Sequence, residues 1–237
     1  MEEKNKIAFK LTEGTTDLNI LFIHGTGCNH TIFDALIKLL PDYNCYAIDL
    51  PGHGESEDTG YNFNNYVNSV VEFIKDMDNV LIVGHSLGGS IGLAVCAKKL
   101  PNITGLMTLS SGATFHKLDK DFLAKIHEGK VDKKFLLKES GSILNLDVLK
   151  SLTKMESDTI SIKDFYVDEE LDIRECLKDI DVKTHVITGA NDKVGLPEYS
   201  ELIAKEVKVS RLTLVPGYKH MLFLAKKRLI AQYIKEF

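Results

Sequence analysis

No stretch of this chain approaches the roughly 18 uninterrupted apolar residues of a membrane-spanning helix, so a helical span is excluded. Cysteine is scarce. The four in 237 residues (Cys28, Cys45, Cys96 and Cys176) lie far apart and form no C-x-x-C pair. Such spacing provides neither a disulfide framework nor a zinc site, and the thiols read as reduced. Positive charge is in deficit: 29 Lys and Arg face 34 Asp and Glu, a net charge of −5 that argues against a nucleic-acid partner. The first residues, Met1-Glu2-Glu3-Lys4-Asn5-Lys6, open with acids and lack the apolar core of a signal peptide, which leads us to expect a cytoplasmic protein. Internal repeats and low-complexity linkers are missing too. What is present is ordinary globular material, 44% apolar and 27% charged, in a length that suits one large domain.

Strand-like and helix-like runs alternate along most of the chain. Leu18 to Ile23, Tyr43 to Ile48, Val80 to Val83, Ile103 to Leu109, Thr184 to Thr188 and Val209 to Val215 read as strands. Ile32 to Leu40, Phe63 to Met77, Ser90 to Leu100, Pro197 to Val207 and Met221 to Phe237 read as helices. This alternation predicts an α/β fold with a mostly parallel sheet covered by helices on both faces. Ligands of such sheets bind beyond the carboxyl ends of the strands, where His24, Asp49, Ser86, Ser110 and Gly189 fall. From Ala113 to Lys178 the alternation stops. Phe122, Leu123 and Ile126 fit one amphipathic helix, and Leu144, Val148, Leu149, Leu152 and Met155 fit a longer one. An insertion of that length is too long for a loop and reads as a helical lid over the strand ends.

The densest signal is Gly84-His85-Ser86-Leu87-Gly88-Gly89, which stands between a strand-like and a helix-like run. This is the G-x-S-x-G nucleophile elbow in the setting it requires. The turn lifts the Ser86 hydroxyl clear of the sheet and aims the Leu87 N–H from a helix N-terminus toward any oxygen bound there. A serine hydroxyl is a poor nucleophile near neutrality, so Ser86 needs a base and a carboxylate to orient that base. Among eight histidines, His220 sits in a loop between the last strand and the last helix, and Asp192 follows the strand Thr184 to Thr188. The order Ser86, Asp192, His220 is the one expected for this fold.

With His24-Gly25-Thr26-Gly27 and Asp49-Leu50-Pro51-Gly52-His53-Gly54-Glu55-Ser56 added, the chain resembles the α/β-hydrolase superfamily, most closely the small serine esterases, lipase-like and carboxylesterase-type hydrolases with a helical cap. The resemblance covers nearly all of the chain outside the insertion. It implies a core of residues 1–112 and 179–237, a cap of 113–178 inserted after the sixth strand, and an oxyanion hole in which the Thr26 N–H joins that of Leu87. The 17 residues before Leu18 are fewer than the usual two-strand N-terminal hairpin takes, which leaves room for a truncated edge.

These residues imply hydrolysis of small to medium carboxylic esters through an acyl-enzyme, with no metal or organic cofactor and a small-molecule ester as the partner. Thioester hydrolysis and C–C bond hydrolysis or lyase chemistry remain open on the same residues. His24, Gly25 and Ser110, with Phe122, Ile126, Leu144 and Leu149 from the insertion, are the candidate pocket residues. Asp49 and His53 are expected to stabilise the turn that follows their strand, and Cys28 to be a buried, inert thiol. Two readings from other classes compete. Gly25-Thr26-Gly27 opens a dinucleotide fingerprint, but His30 stands where its third glycine belongs. A non-catalytic ligand-binding relative would leave a complete Ser86, Asp192 and His220 set without use.

Overall fold

The apolar runs Asn19–Ile23 and Val80–His85 present a buried side chain at nearly every position. Leu21, Ile23, Val80 and Ile82 join one apolar cluster, whereas Ile20, Phe22, Leu81 and Val83 join another. Successive strand residues point to opposite faces, so these strands are stable only between two covering layers. Each such side chain removed from water contributes about 1.5–3 kcal/mol, which makes the layered arrangement decisive.

A computed structural model describes residues 1–141 and 145–237. Its strands are β1 (Glu2–Lys4), β2 (Ile7–Thr12), β3 (Asn19–Ile23), β4 (Asn44–Ile48), β5 (Val80–His85), β6 (Ile103–Leu109), β7 (Lys183–Gly189) and β8 (Ser210–Val215). They form one sheet in the order β1-β2-β4-β3-β5-β6-β7-β8. β1 pairs antiparallel with β2 and β2 with β4, while every pairing from β4 to β8 is parallel. Helices Phe63–Ile74, Leu87–Cys96 and Pro197–Glu206 cover one face, and Asp34–Ile37 and Lys227–Ile234 cover the other. The parallel strands all end at one edge, and His24, Asp49, Ser86, Ser110 and Ala190 follow them there.

The N-terminal edge is not truncated. β1 and β2 form a hairpin joined by only Asn5 and Lys6, both with positive φ (53° and 70°). Two residues in that conformation make the tight turn whose twist suits a hairpin, so the edge fits in a dozen residues. Lys6 occupies a position where glycine usually marks such a turn, and β1 is short, charged and exposed. Neither feature reads as a strand.

Between β6 and β7 lie helices Lys120–His127, Lys133–Ser140, Leu146–Thr153 and Asp158–Glu170. Asp119, Asp132, Asn145 and Ser157 each cap one of them by accepting a backbone N–H of the first turn. The first helix holds Phe122 and Ile126 as expected. The expected longer helix begins at Leu146 and ends at Thr153; Leu144 lies outside the described residues. Asp158–Glu170 has no counterpart in the hydrophobic pattern, because its buried positions include Ser161, Asp164 and Asp168. No helix among the described residues is long and apolar enough to cross a membrane.

Candidate active site

Ser86 follows β5 directly and begins the helix Leu87–Cys96 with φ 52° and ψ −121°. An L-residue occupies this region only under strain, and the surroundings show what holds it. Its N–H donates to Leu109 O at 2.9 Å, and its carbonyl accepts the Ser111 hydroxyl at 2.6 Å. A Cβ on Gly84 would sit 2.3 Å from Gly88 O, and one on Gly88 would sit 2.1 Å from Ile23 O. The strand-to-helix turn therefore closes only because both positions lack side chains. The result places Ser86 at the mouth of a cavity, with the Leu87 N–H in the first turn of a helix, where no intrahelical acceptor exists.

Asp192 and His220 arrive on the loops that follow β7 and β8. His220 Nδ1 lies 2.9 Å from Asp192 Oδ2 and 3.2 Å from Oδ1. The carboxylate is buried and further held by the N–H groups of Val194 (2.8 Å) and Gly195 (3.0 Å), both donating to Oδ1. An imidazole whose Nδ1–H is directed to a carboxylate carries its free lone pair on Nε2, the form that can accept a proton. The His220 loop is also tied to the insertion: its N–H donates to Glu139 O at 3.2 Å, and the Met221 N–H to Ser140 O at 3.0 Å.

The loop after β3 is held from two sides. His24 is fully buried, with Nδ1 2.9 Å from Gly25 O and Nε2 accepting the Leu50 N–H at 3.0 Å. Burial, reinforced by the neighbouring His53, lowers its pKa to about 4, so it stays neutral and shapes the loop. From the insertion, Asp164 Oδ2 accepts the Gly27 N–H at 2.8 Å, and Asp168 Oδ2 accepts the Thr26 hydroxyl at 2.6 Å. Asp164 also receives His53 Nε2 at 2.8 Å and the Tyr66 hydroxyl at 2.7 Å. Although burial opposes it, the Asp164 charge and hydrogen bond raise the His53 pKa. Neither the Thr26 nor the Leu87 N–H donates to another protein group among the described residues.

Thr26, Ser86 and His220 line one cavity together with Cys28, Phe115, Leu136, Leu152, Met155, Phe165, Asp168 and Met221. It contains about 670 Å³ not occupied by protein atoms, part of it open to solvent. Its mostly apolar wall with a few polar groups suits a small ligand. Asp192 supports the cavity from behind through His220.

Of the expected pocket residues, none of the described ones lines this cavity. His24 and Ser110 are fully buried, and neither they nor Gly25 lines the cavity. Phe122 and Ile126 pack with Phe165 in a small core of the insertion. Leu149 is exposed to solvent. In their place Leu136, Leu152 and Met155 face the cavity, because the insertion helices turn their other flanks inward. Asp49 stabilises its turn as expected, accepting the His30 and Glu55 N–H groups at 2.8 and 3.1 Å. Cys28 lies against the cavity, and burial pushes its thiol up to about 12, so it remains protonated. Three buried acids were missed: Glu139, Asp164 and Asp168. The i, i+4 spacing of Asp164 and Asp168, with Ser161 on the preceding turn, was the available signal of a polar stripe turned inward.

Residues 20–232 match the model of the alpha/beta hydrolase family. A lipase-esterase related protein from Clostridium acetobutylicum superposes with a TM-score of 0.94 at 37% identity, covering 98% of this chain and 99% of that one. An esterase from Exiguobacterium antarcticum has the same fold, with a TM-score of 0.84 at 22% identity and 97% and 94% coverage. Among curated relatives, the pimeloyl-(acyl-carrier protein) methyl ester esterase of Neisseria meningitidis is 26% identical over 92% of this chain and 76% of its own. The eight-stranded sheet, its helices on both faces and these matches together lead to one conclusion: the chain belongs to the alpha/beta hydrolase family.

Proposed function

We propose that the protein is a serine esterase that cleaves small to medium carboxylic esters through an acyl-enzyme. The observation that carries this reading is the 2.9 Å contact of His220 Nδ1 with Asp192 beside a strained Ser86, with Ser86 and His220 on one cavity wall. In this mechanism the Ser86 hydroxyl attacks the ester carbonyl as His220 Nε2 takes its proton. Asp192 keeps the imidazole in the useful tautomer and stabilises its cation. The Thr26 and Leu87 N–H groups receive the charge developing on the carbonyl oxygen. His220 then gives its proton to the departing alcohol, and water releases the acyl group by the same steps.

The helical segment 113–178 serves as the cap of this site, over a core of 1–112 and 179–237. Its contacts with the Thr26–Gly27 and His220–Met221 loops support that assignment. Four cysteines free of disulfides support a reducing compartment, the cytoplasm. The esterase names of the relatives favour ester over amide substrates.

Wild-type protein and Ser86→Ala, assayed with p-nitrophenyl butyrate and labelled with a fluorophosphonate, test the reading. Labelling at residue 86 and hydrolysis that both vanish in the variant are expected. Retained hydrolysis in Ser86→Ala would exclude this nucleophile.

A further inference from the structure

Two acids in the cavity wall, Glu139 and Asp168, each keep a buried carboxyl oxygen without a hydrogen bond among the described residues, and Asp168 is the one that also lacks a cation beside it. It is 4% exposed and projects from the helix Asp158–Glu170. Oδ2 accepts the Thr26 hydroxyl at 2.6 Å, whereas Oδ1 is buried and has no hydrogen-bond partner among the described residues. No lysine, arginine or histidine pairs with it among those residues. The charge that acts on it is Asp164, one helical turn away and of the same sign. Glu139 differs in having cations within ion-pair distance, Lys219 Nζ 3.2 Å from Oε2 and Lys138 Nζ 3.7 Å from Oε1, although Oε2 makes no hydrogen bond among the described residues. A buried carboxyl oxygen left without a hydrogen bond is destabilising, so its presence against a ligand cavity calls for a ligand that answers it.

Topology says which part of a substrate meets it. β3 lies on one side of β5 in the sheet, and β7 and β8 lie on the other. Thr26 and Asp168 thus flank Ser86 opposite His220. The leaving alcohol must sit beside His220, which protonates it, so the acyl chain extends toward Asp168. Through its bond to Thr26, whose own N–H faces the carbonyl oxygen, Asp168 is one side chain away from the reacting carbon.

We propose that Asp168 is a specificity-determining residue whose free carboxyl oxygen hydrogen-bonds a hydroxyl carried on the acyl chain two or three carbons from the ester carbonyl. The proposal rests on the esterase reading and names its substrate class as esters of short hydroxy acids. Burial and the charge of Asp164 push the Asp168 carboxyl well above the usual carboxylate range, which favours its protonated form. A neutral carboxyl both donates and accepts, which matches a hydroxyl. An ammonium group would require the ionised form in a wall of Phe115, Leu136, Leu152 and Phe165.

The experiment compares kcat/KM for p-nitrophenyl butyrate, 3-hydroxybutyrate and 3-aminobutyrate in wild type, Asp168→Asn and Asp168→Leu. The wild type is expected to favour the hydroxy ester over the plain ester by about tenfold, the equivalent of one good hydrogen bond. Asp168→Asn, which keeps a donor and an acceptor, should keep that ratio above one, and Asp168→Leu should invert it. A wild-type ratio at or below one overturns the proposal even where a variant does not fold. An equal loss on both esters in Asp168→Leu also overturns it, and leaves the carboxyl as a support for Thr26. Preference for the amino ester would overturn the neutral-acid assignment. Fluorophosphonate labelling of Ser86 runs in parallel: if wild type neither labels nor hydrolyses any ester, the esterase reading itself fails.

Discussion

The Gly27 N–H donates to the Asp164 carboxylate at 2.8 Å across a sequence separation of 137 residues. One contact thus joins the loop after β3 to a helix of the insertion. The same carboxylate holds the buried His53 and the Tyr66 hydroxyl, so the two parts of the chain share a single polar knot.

Asp164→Ala would remove that knot and leave His53 buried without its partner, at a cost of about 3–5 kcal/mol. Urea unfolding should show a fall of that size, and kcat on p-nitrophenyl butyrate should drop with it as the Thr26–Gly27 loop loses its tether. A change in stability below about 1 kcal/mol would mean that the knot contributes little.

Asp192→Asn keeps the shape of the side chain but allows an amide N–H to face His220 Nδ1, which favours the wrong tautomer. A fall in kcat of about 10⁴ is expected with little change in the thermal melt. A mild kinetic effect would assign the orienting role to another carboxylate.

Ser86→Gly tests the strain at φ 52°. Release of a strained conformation is worth about 1–3 kcal/mol, against about 0.5–1 kcal/mol for the added freedom of glycine when unfolded. The variant should therefore melt higher than wild type while losing fluorophosphonate labelling. A lower Tm would show that the turn is not strained.

His24 and His185 both have pKa values lowered from 6.5 to about 4, His24 by burial and then His53, His185 by burial and then Arg211. Between these values the unfolded chain binds protons that the folded chain does not. Their contribution to stability is complete above pH 6.5 and is lost as pH falls toward 4. The thermal melt should drop through that window, and His185→Gln should drop less steeply than wild type. Parallel curves would remove His185 from the account.

Much of this was legible in the order of residues because it depends on local geometry. Gly84-His85-Ser86-Leu87-Gly88 can make only one kind of turn between a buried strand and a buried helix, and Asp192 and His220 follow the strands that carry them to the same edge. The hairpin of β1 and β2 was hidden by Lys6 at a positive-φ position. Phe122 and Ile126 pack with Phe165 inside the insertion, and periodicity alone cannot tell that demand from a ligand's.

Sequence order was enough for the layered sheet and for the three side chains gathered at its edge, since strand alternation and chain order dictate both. Which acids go inside was settled only by folding. Asp164 and Asp168 look like ordinary solvent-facing residues of a polar segment. They become the grip on Thr26 and Gly27 because the helix from 158 to 170 turns Ser161, Asp164 and Asp168 inward beside Phe165 and Val167. Burial of a carboxylate is favourable only where donors from distant parts of the chain meet it, and no local pattern records where those donors will be.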